Sequence, residues 1–177
     1  RLQDAFAEMV SDPRLHTMPP IDVVSTIEEN ADLAAARHDD ARVQEQLADR
    51  LLALDLPGRA GPVLEKLMKA ATTPLSKALY GANLAALAVR EKNDAAALAA
   101  LDVSEAPNLP AALVERRTLL RAEAVAHGGD PKAADALLTA LGTPAANQAR
   151  AAILEQAQDW AGAERAWADY TAKALPE

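Results

Sequence analysis

Histidine is the side chain best suited to ligate a metal or move a proton near neutral pH, and the chain has three: His16, His38 and His127. A metal site needs ligands that converge, such as two histidines one helical turn apart or a His/carboxylate cluster. None of the three has another histidine near it in sequence. His38-Asp39-Asp40 offers an oxygen-rich set, but a His closing one helix and an Asp opening the next meets the needs of two helix ends. The carboxylate pairs Glu28-Glu29 and Asp39-Asp40 are adjacent, so on a helix they diverge by about 100° and cannot work on one atom. There is no cysteine, which removes thiol nucleophiles, disulfides and Cys-based zinc sites. No G-x-S-x-G, Walker-type or G-x-G-x-x-G sequence occurs, and the glycines concentrate at turns. Neither a catalytic centre nor a bound metal or cofactor is expected.

Two other groups have a chemistry of their own. Arg116, Arg117 and Arg121 share one stretch; they can grip an acidic partner or pair with Glu115 and Glu123. Trp160, Trp167 and Tyr170 are three of only five aromatics. Trp167 and Tyr170 fall on one helical face with Ala163, which reads as core against the preceding helix; the alternative is a docking face for a following repeat or partner.

The elements that hold these groups are helices. Of 177 residues, 44 are Ala and 25 Leu, whereas Val and Ile together number 12 and aromatics make up 3%. A sheet would draw on the β-branched and aromatic residues that are scarce here, while Ala and Leu lead the helix propensities. Net charge is −8 and pI ≈ 4.9, against a nucleic-acid binder, which needs a basic stripe, or a membrane-surface protein. The longest apolar runs, Leu84 to Val89 and Ala95 to Leu101, fall far short of the roughly 18 residues of a membrane span. Thr73-Pro74, Asp130-Pro131 and Thr143-Pro144 pair a cap residue with proline at the first helical position, and Asn108-Leu109-Pro110 is a looser version. Breakers and periodicity predict helices over 2–11, 20–37, 40–54, 59–71, 74–92, 94–102, 110–127, 131–141, 145–157 and 160–174. The short connections make consecutive helices antiparallel neighbours.

Four of these helices carry a trio spaced four and three, and so on one face: Ala60/Leu64/Leu67, Ala97/Leu101/Ser104, Ala134/Leu138/Leu141 and Ala163/Trp167/Tyr170. The trios recur at intervals of 37, 37 and 29 residues, each after a tight polar or Gly/Pro turn. Leu47-Ala48 and Leu51 followed by Ala60, Leu64 and Leu67, with Leu84-Ala85 followed by Ala97 and Leu101, resemble the tetratricopeptide repeat. Gln158-Asp159-Trp160-Ala161-Gly162-Ala163 and Trp167 resemble its turn and second helix, although Arg150 stands where that family has Leu. The third unit aligns with a one-residue insertion near Gly128. The resemblance covers about residues 42–175 as degenerate units; residues 1–41 are expected to cap the array or close a neighbouring repeat.

The resemblance implies an all-α fold, a right-handed α-α superhelix of antiparallel helix pairs over 42–177. It also implies a non-enzymatic scaffold that mediates protein–protein interaction through a concave groove. The first helix of each pair would line that groove, which nominates Arg42, Glu45, Asp49, Asn83, Arg116, Arg117 and Glu123 as partner contacts. Some family members clamp a peptide's terminal carboxylate with Lys and Asn at such positions. Here Glu45 and Asp49 occupy the first unit's places and only Asn83 matches, so a mixed or basic partner segment is expected. The other classes of function are a structural or self-assembling segment stacking on other copies or flanking repeats and, last in order, an enzyme or small-ligand domain in a closed helical bundle. The chain opens at Arg1 rather than Met, so it is expected to be a piece of a longer bacterial-type polypeptide, its compartment unmarked by any signal.

Overall fold

Proline presets φ near the helical value and has no N–H to leave unpaired, so Thr-Pro and Asp-Pro start helices well. A computed structural model, which describes residues 18–30 and 40–174, opens helices at each of those signals. Thr73 Oγ1 accepts from Ser76 N at 3.0 Å, Asp130 Oδ1 from Ala133 N at 3.0 Å and Thr143 Oγ1 from Ala146 N at 3.2 Å. Asn93 and Asp159 cap in the same way, taking Ala96 N at 3.2 Å and Gly162 N at 2.9 Å. The looser start yields a helix from Ala111 with Pro110 before it and no side-chain cap.

All the regular structure among the described residues is helical. In chain order it comprises α1 (Pro20–Glu29), α2 (Asp40–Ala53), α3 (Pro57–Ala70), α4 (Pro74–Arg90), α5 (Asp94–Val103), α6 (Ala111–His127), α7 (Pro131–Leu141), α8 (Pro144–Gln156) and α9 (Trp160–Ala174). The helix predicted over 2–11, the end of the one over 20–37, His16 and His38 lie outside the described residues.

Four hairpins, α2/α3, α4/α5, α6/α7 and α8/α9, are built to one register. Each buries an alanine on its first helix and another twelve residues later on its second: Ala48 and Ala60, Ala85 and Ala97, Ala122 and Ala134, Ala151 and Ala163, all at most 3% exposed. Seven residues after the first alanine the chain turns through positive φ, at Asp55, Lys92, Gly129 and Gln158. The next N–H then reaches back to the last helical turn: Leu56 N to Leu51 O, Asn93 N to Ala88 O, Asp130 N to Val125 O and Asp159 N to Leu154 O, at 2.8 to 3.2 Å. That left-handed closure satisfies carbonyls a helix end would otherwise leave bare. The third hairpin keeps this register with no insertion near Gly128. An insertion is needed only when Leu120 is matched to Leu47 and Leu84; Ala122 is the true counterpart of Ala48 and Ala85, and Arg121 stands where the first two hairpins have those leucines.

The chain divides into two packed units, at Tyr80/Gly81 inside α4. In the first, Val23, Val24 and Ile27 of α1 close on Val43, Leu47 and Leu51 of α2 and on Ala60 of α3. In the second, one cluster joins Ala85, Ala88 and Val89 of α4 to Ala97 and Leu101 of α5 and Ala124 of α6. The next joins Ala122 of α6 to Ala134 and Leu138 of α7 and Ala146 of α8, and the last holds only α8 and α9, through Ala151, Leu154, Ala163 and Ala166. Besides its own hairpin partner, α6 also packs on α8.

Gly81 is not a turn glycine. It lies buried in mid-helix, where a Cβ would stand 1.9 Å from Ser104 Oγ and 2.3 Å from Ser104 Cβ. Ser104 cannot withdraw easily, because it is fully buried, donates to Ala100 O at 2.6 Å and accepts from Arg117 at 2.9 Å. Alanine in a helix interior gains about 0.5–1 kcal/mol over glycine, while overpacking costs about 1–3 kcal/mol; a contact this short puts the clash at the upper end. Gly81→Ala is therefore expected to lose about 2 kcal/mol, read as a lower urea midpoint at unchanged slope.

Candidate functional site

Where first helices of successive hairpins meet, two surfaces form, one in each unit. In the first unit, Arg42, Glu45 and Asp49 follow one another at helical spacing along α2, so they share a face. Tyr80 of α4 lies against this face and its hydroxyl donates to Glu45 Oε1. Burial of the ring end, then the bond to Glu45 and its negative charge, push the Tyr80 phenol up to about 12. Local desolvation and then Glu45 raise the Asp49 carboxyl above the ordinary aspartate range, against a smaller pull downward from Arg50. This patch is acidic and anchored at one end by a buried tyrosine.

In the second unit α6 and α8 leave an open groove of about 420 Å³ between them. Leu119, Ala149 and Ile153, all partly buried, give it an apolar lining, with Ala152 exposed beside them, and Glu123, His127, Gln148 and Gln156 add polar ends. His127, the last residue of α6, has Nδ1 3.2 Å from Asp94 Oδ1 at the start of α5. Arg116 is exposed two turns before Glu123 on the same side of α6. The groove can offer amide donors and acceptors, one carboxylate and an alanine-containing apolar lining, a set that suits a peptide segment.

Not every nominated residue faces a groove. Asn83 is partly buried on α4 and belongs to the second unit, whereas Glu45 and Asp49 belong to the first. Arg117, nominated as an exposed contact, is 6% exposed. Its guanidinium donates to Leu101 O at 2.7 Å and Ser104 Oγ at 2.9 Å and reaches Glu105 at 3.4 Å. It ties α6 to the end of α5 and does not face solvent. Arg121 adds a 2.7 Å pair with Asp102.

Arg150 plays a comparable part where the family resemblance calls for Leu. It is 9% exposed, and donates to Asp135 of α7 at 2.7 Å, Asp169 of α9 at 3.0 Å and Asn147 at 3.3 Å. Burial disfavours its charge, but the bonds to Asp135 and Asp169 outweigh that and raise its pKa. The aromatics also depart from expectation. Trp167 is 38% exposed and Tyr170 only partly buried, so the pair is not enclosed core against α8; Trp160 is 67% exposed. Trp167 instead meets Tyr170 edge-on, centroids 5.7 Å apart, and donates Nε1 to Glu155 at 2.8 Å.

Sequence reasoning missed Tyr80, Gln148 and Gln156. Gln148 and Gln156 lie eight residues apart on α8 and the alanine register would have put them on the first-helix face, but glutamine on a helix usually signals only solvent. Among the described residues no three His, Asp or Glu groups converge as a metal site, and no helix is long and apolar enough to cross a membrane. Comparison with family models, curated proteins and solved structures yields no match to this chain.

The raised Asp49 carboxyl has a signed consequence. The folded chain keeps that proton to higher pH than the unfolded chain, so this group's contribution falls as pH rises through and just above the ordinary aspartate range. Asp49→Asn should flatten that part of the profile, measured as urea midpoints from about pH 3.5 to 7; a slope identical to the parent's would remove Asp49 as its source.

Proposed function

We propose that this chain is a tetratricopeptide-like helical-repeat scaffold, its hairpins stacked as a right-handed superhelix, which binds a segment of a protein partner along the surface of its first helices. It works as a preorganised surface and carries out no reaction. The observation that carries the reading is the α6/α8 groove, in which Glu123, Gln148 and Gln156 stand beside an apolar, alanine-containing lining. The register supports it: the two alanines twelve residues apart set each first helix beside its partner, and α6 packs on α8. Glutamine side chains can meet the backbone N–H and C=O of an extended segment, and small lining residues let that backbone approach closely.

The partner segment is mixed or basic. Glu123 in the groove and the Glu45/Asp49 face in the first unit both present carboxylates, and the chain's net charge of −8 draws cationic segments toward it. Such a segment would add affinity mainly through fit and speed of encounter rather than through the exposed charge pairs, which contribute about 0–1 kcal/mol each.

A random-peptide selection on the immobilised chain tests this. Enriched peptides should be basic or mixed and should bind Ala152→Trp, which fills the groove from an exposed position, at least tenfold more weakly. Ala136→Trp, likewise at an exposed position but on α7 and outside the groove, should bind them as the parent does. Glu123→Lys should weaken them further as salt is lowered. Enriched peptides that bind Ala152→Trp at parental strength would sink the groove assignment.

A further inference from the structure

Two arginines of α6 that the groove does not use converge on one point. Arg117 Nη2 stands 3.4 Å and Arg121 Nη2 3.8 Å from the same atom, Glu105 Oε2. A well-formed guanidinium–carboxylate bond is about 2.7–2.9 Å long. Arg150 with Asp135 and Arg121 with Asp102 reach that range, each at 2.7 Å. The Glu105 side chain is 67% exposed and lies on the connection between α5 and α6, so it can turn outward without disturbing a helix. Two guanidinium groups around a loosely held, exposed carboxylate make an anion position that the chain itself fills poorly.

That position opens into a cavity of about 360 Å³, at the small end of the range for ligand sites, about 300–1,000 Å³. Both arginines line it, and Arg117 is buried, where a charge is screened less than on the surface. Leu109, Val114 and Leu137 place branched aliphatic surface beside them. Val114 is 40% exposed, apolar surface that a ligand in the cavity would remove from water. At about 100° per residue, Val114, Arg117 and Arg121 lie on the side of α6 opposite Leu119, Glu123 and Ala126, so this cavity is separate from the α6/α8 groove.

We infer that the cavity binds a small carboxylic acid with a short branched aliphatic chain, whose carboxylate displaces Glu105 from Arg117 and Arg121. The planar guanidinium forks match a planar carboxylate, and the aliphatic part lies on Leu109, Val114 and Leu137. Asp102 stays on Arg121 Nη1, so when Glu105 leaves, two guanidinium groups face one carboxylate and the ligand supplies the second. The end of a peptide is the poorer occupant: besides the ionic groups, the lining offers its backbone only the side chains of Asn108 and Thr118, whereas a free acid has no amide to satisfy. This site goes beyond the peptide-binding reading and does not rest on it.

The test titrates 4-methylpentanoate into the full chain and follows the methyl NMR signals of Val114 and Leu137. Saturable shifts are expected with a Kd of a few mM or below, on the order of what so small a ligand can reach. Acetate and the neutral 4-methylpentanamide should bind about tenfold more weakly, since one lacks the aliphatic chain and the other the charge. Glu105→Gln removes the competing carboxylate and should bind the acid about two- to fivefold more tightly. Arg121→Gln should weaken it about tenfold. So should Val114→Asp, which alters an exposed position and leaves the Asp102 pair in place. No saturation by about 20 mM acid, an amide or acetate that binds as well as the acid, or variants at 105 and 114 that bind as the parent does would each overturn the inference. N-acetyl-leucine binding about tenfold more tightly than 4-methylpentanoate would make a peptide end the occupant and overturn it as well. Peptides selected for the groove should bind Val114→Asp unchanged, so the two sites stand or fall separately.

Discussion

Helices in this chain approach one another across alanine, and everything else is arranged around that closeness. Eight buried alanines, two per hairpin and twelve residues apart, lie inside the hairpins. A larger side chain there would force the axes apart or the side chains off their rotamers. The same requirement reaches its limit at Gly81, where even a methyl group would collide with Ser104. Small residues inside the hairpins let the left-handed turns at Asp55, Lys92, Gly129 and Gln158 close in nearly one geometry, since the turn needs its two helices already side by side.

Closeness has an energetic consequence. A buried alanine methyl contributes about 0.8 kcal/mol, against about 1.5–3 kcal/mol for a leucine or phenylalanine, while ordering each residue's backbone costs about 1–2 kcal/mol. One alanine-built hairpin therefore cannot sustain itself, and its apolar residues must be shared with a neighbour. The clusters in the second unit show the sharing: α4, α5 and α6 meet in one, α6, α7 and α8 in the next. Leucines bury more apolar surface than alanines where three helices converge, and Leu101 and Leu138 are fully enclosed at those points.

Much of the helix layout was legible in the sequence because its signals are local. Cap residues before Pro74, Pro131 and Pro144 act within one turn, and the structure starts helices there. The trios were legible as faces because three- and four-residue spacing fixes direction on a helix. What was not legible depends on neighbours distant in sequence. Arg117 read as a solvent-facing charge and Arg150 only as a departure from an expected leucine, and it is the approach of α5, α7 and α9 that makes both interior. Trp167 lies on the face that the spacing assigned it, but spacing cannot say whether another helix covers that face. Glu123 could be placed on its helix from sequence; the groove beside it required knowing how far apart α6 and α8 stand.

The arginines answer a difficulty that alanine creates. Ridges as uniform as Ala95-Ala96-Ala97 with Ala99-Ala100 offer nearly the same surface after a slip of three or four residues, so apolar burial alone distinguishes one stacking register from the next only weakly. A leucine in place of Arg121 or Arg150 would be satisfied in several of them. A buried guanidinium is not: Arg150 is matched only where Asp135, Asp169 and Asn147 converge, and Arg117 only where the carbonyl of Leu101 and the hydroxyl of Ser104 lie together. In a slipped stack these charges would lose their partners while still being removed from water, at several kcal/mol each. The correct stack gains little from them over an aliphatic residue of similar size, so their main effect is on the alternatives. At position 150, arginine in place of an aliphatic residue makes a joint between two alanine-rich surfaces specific.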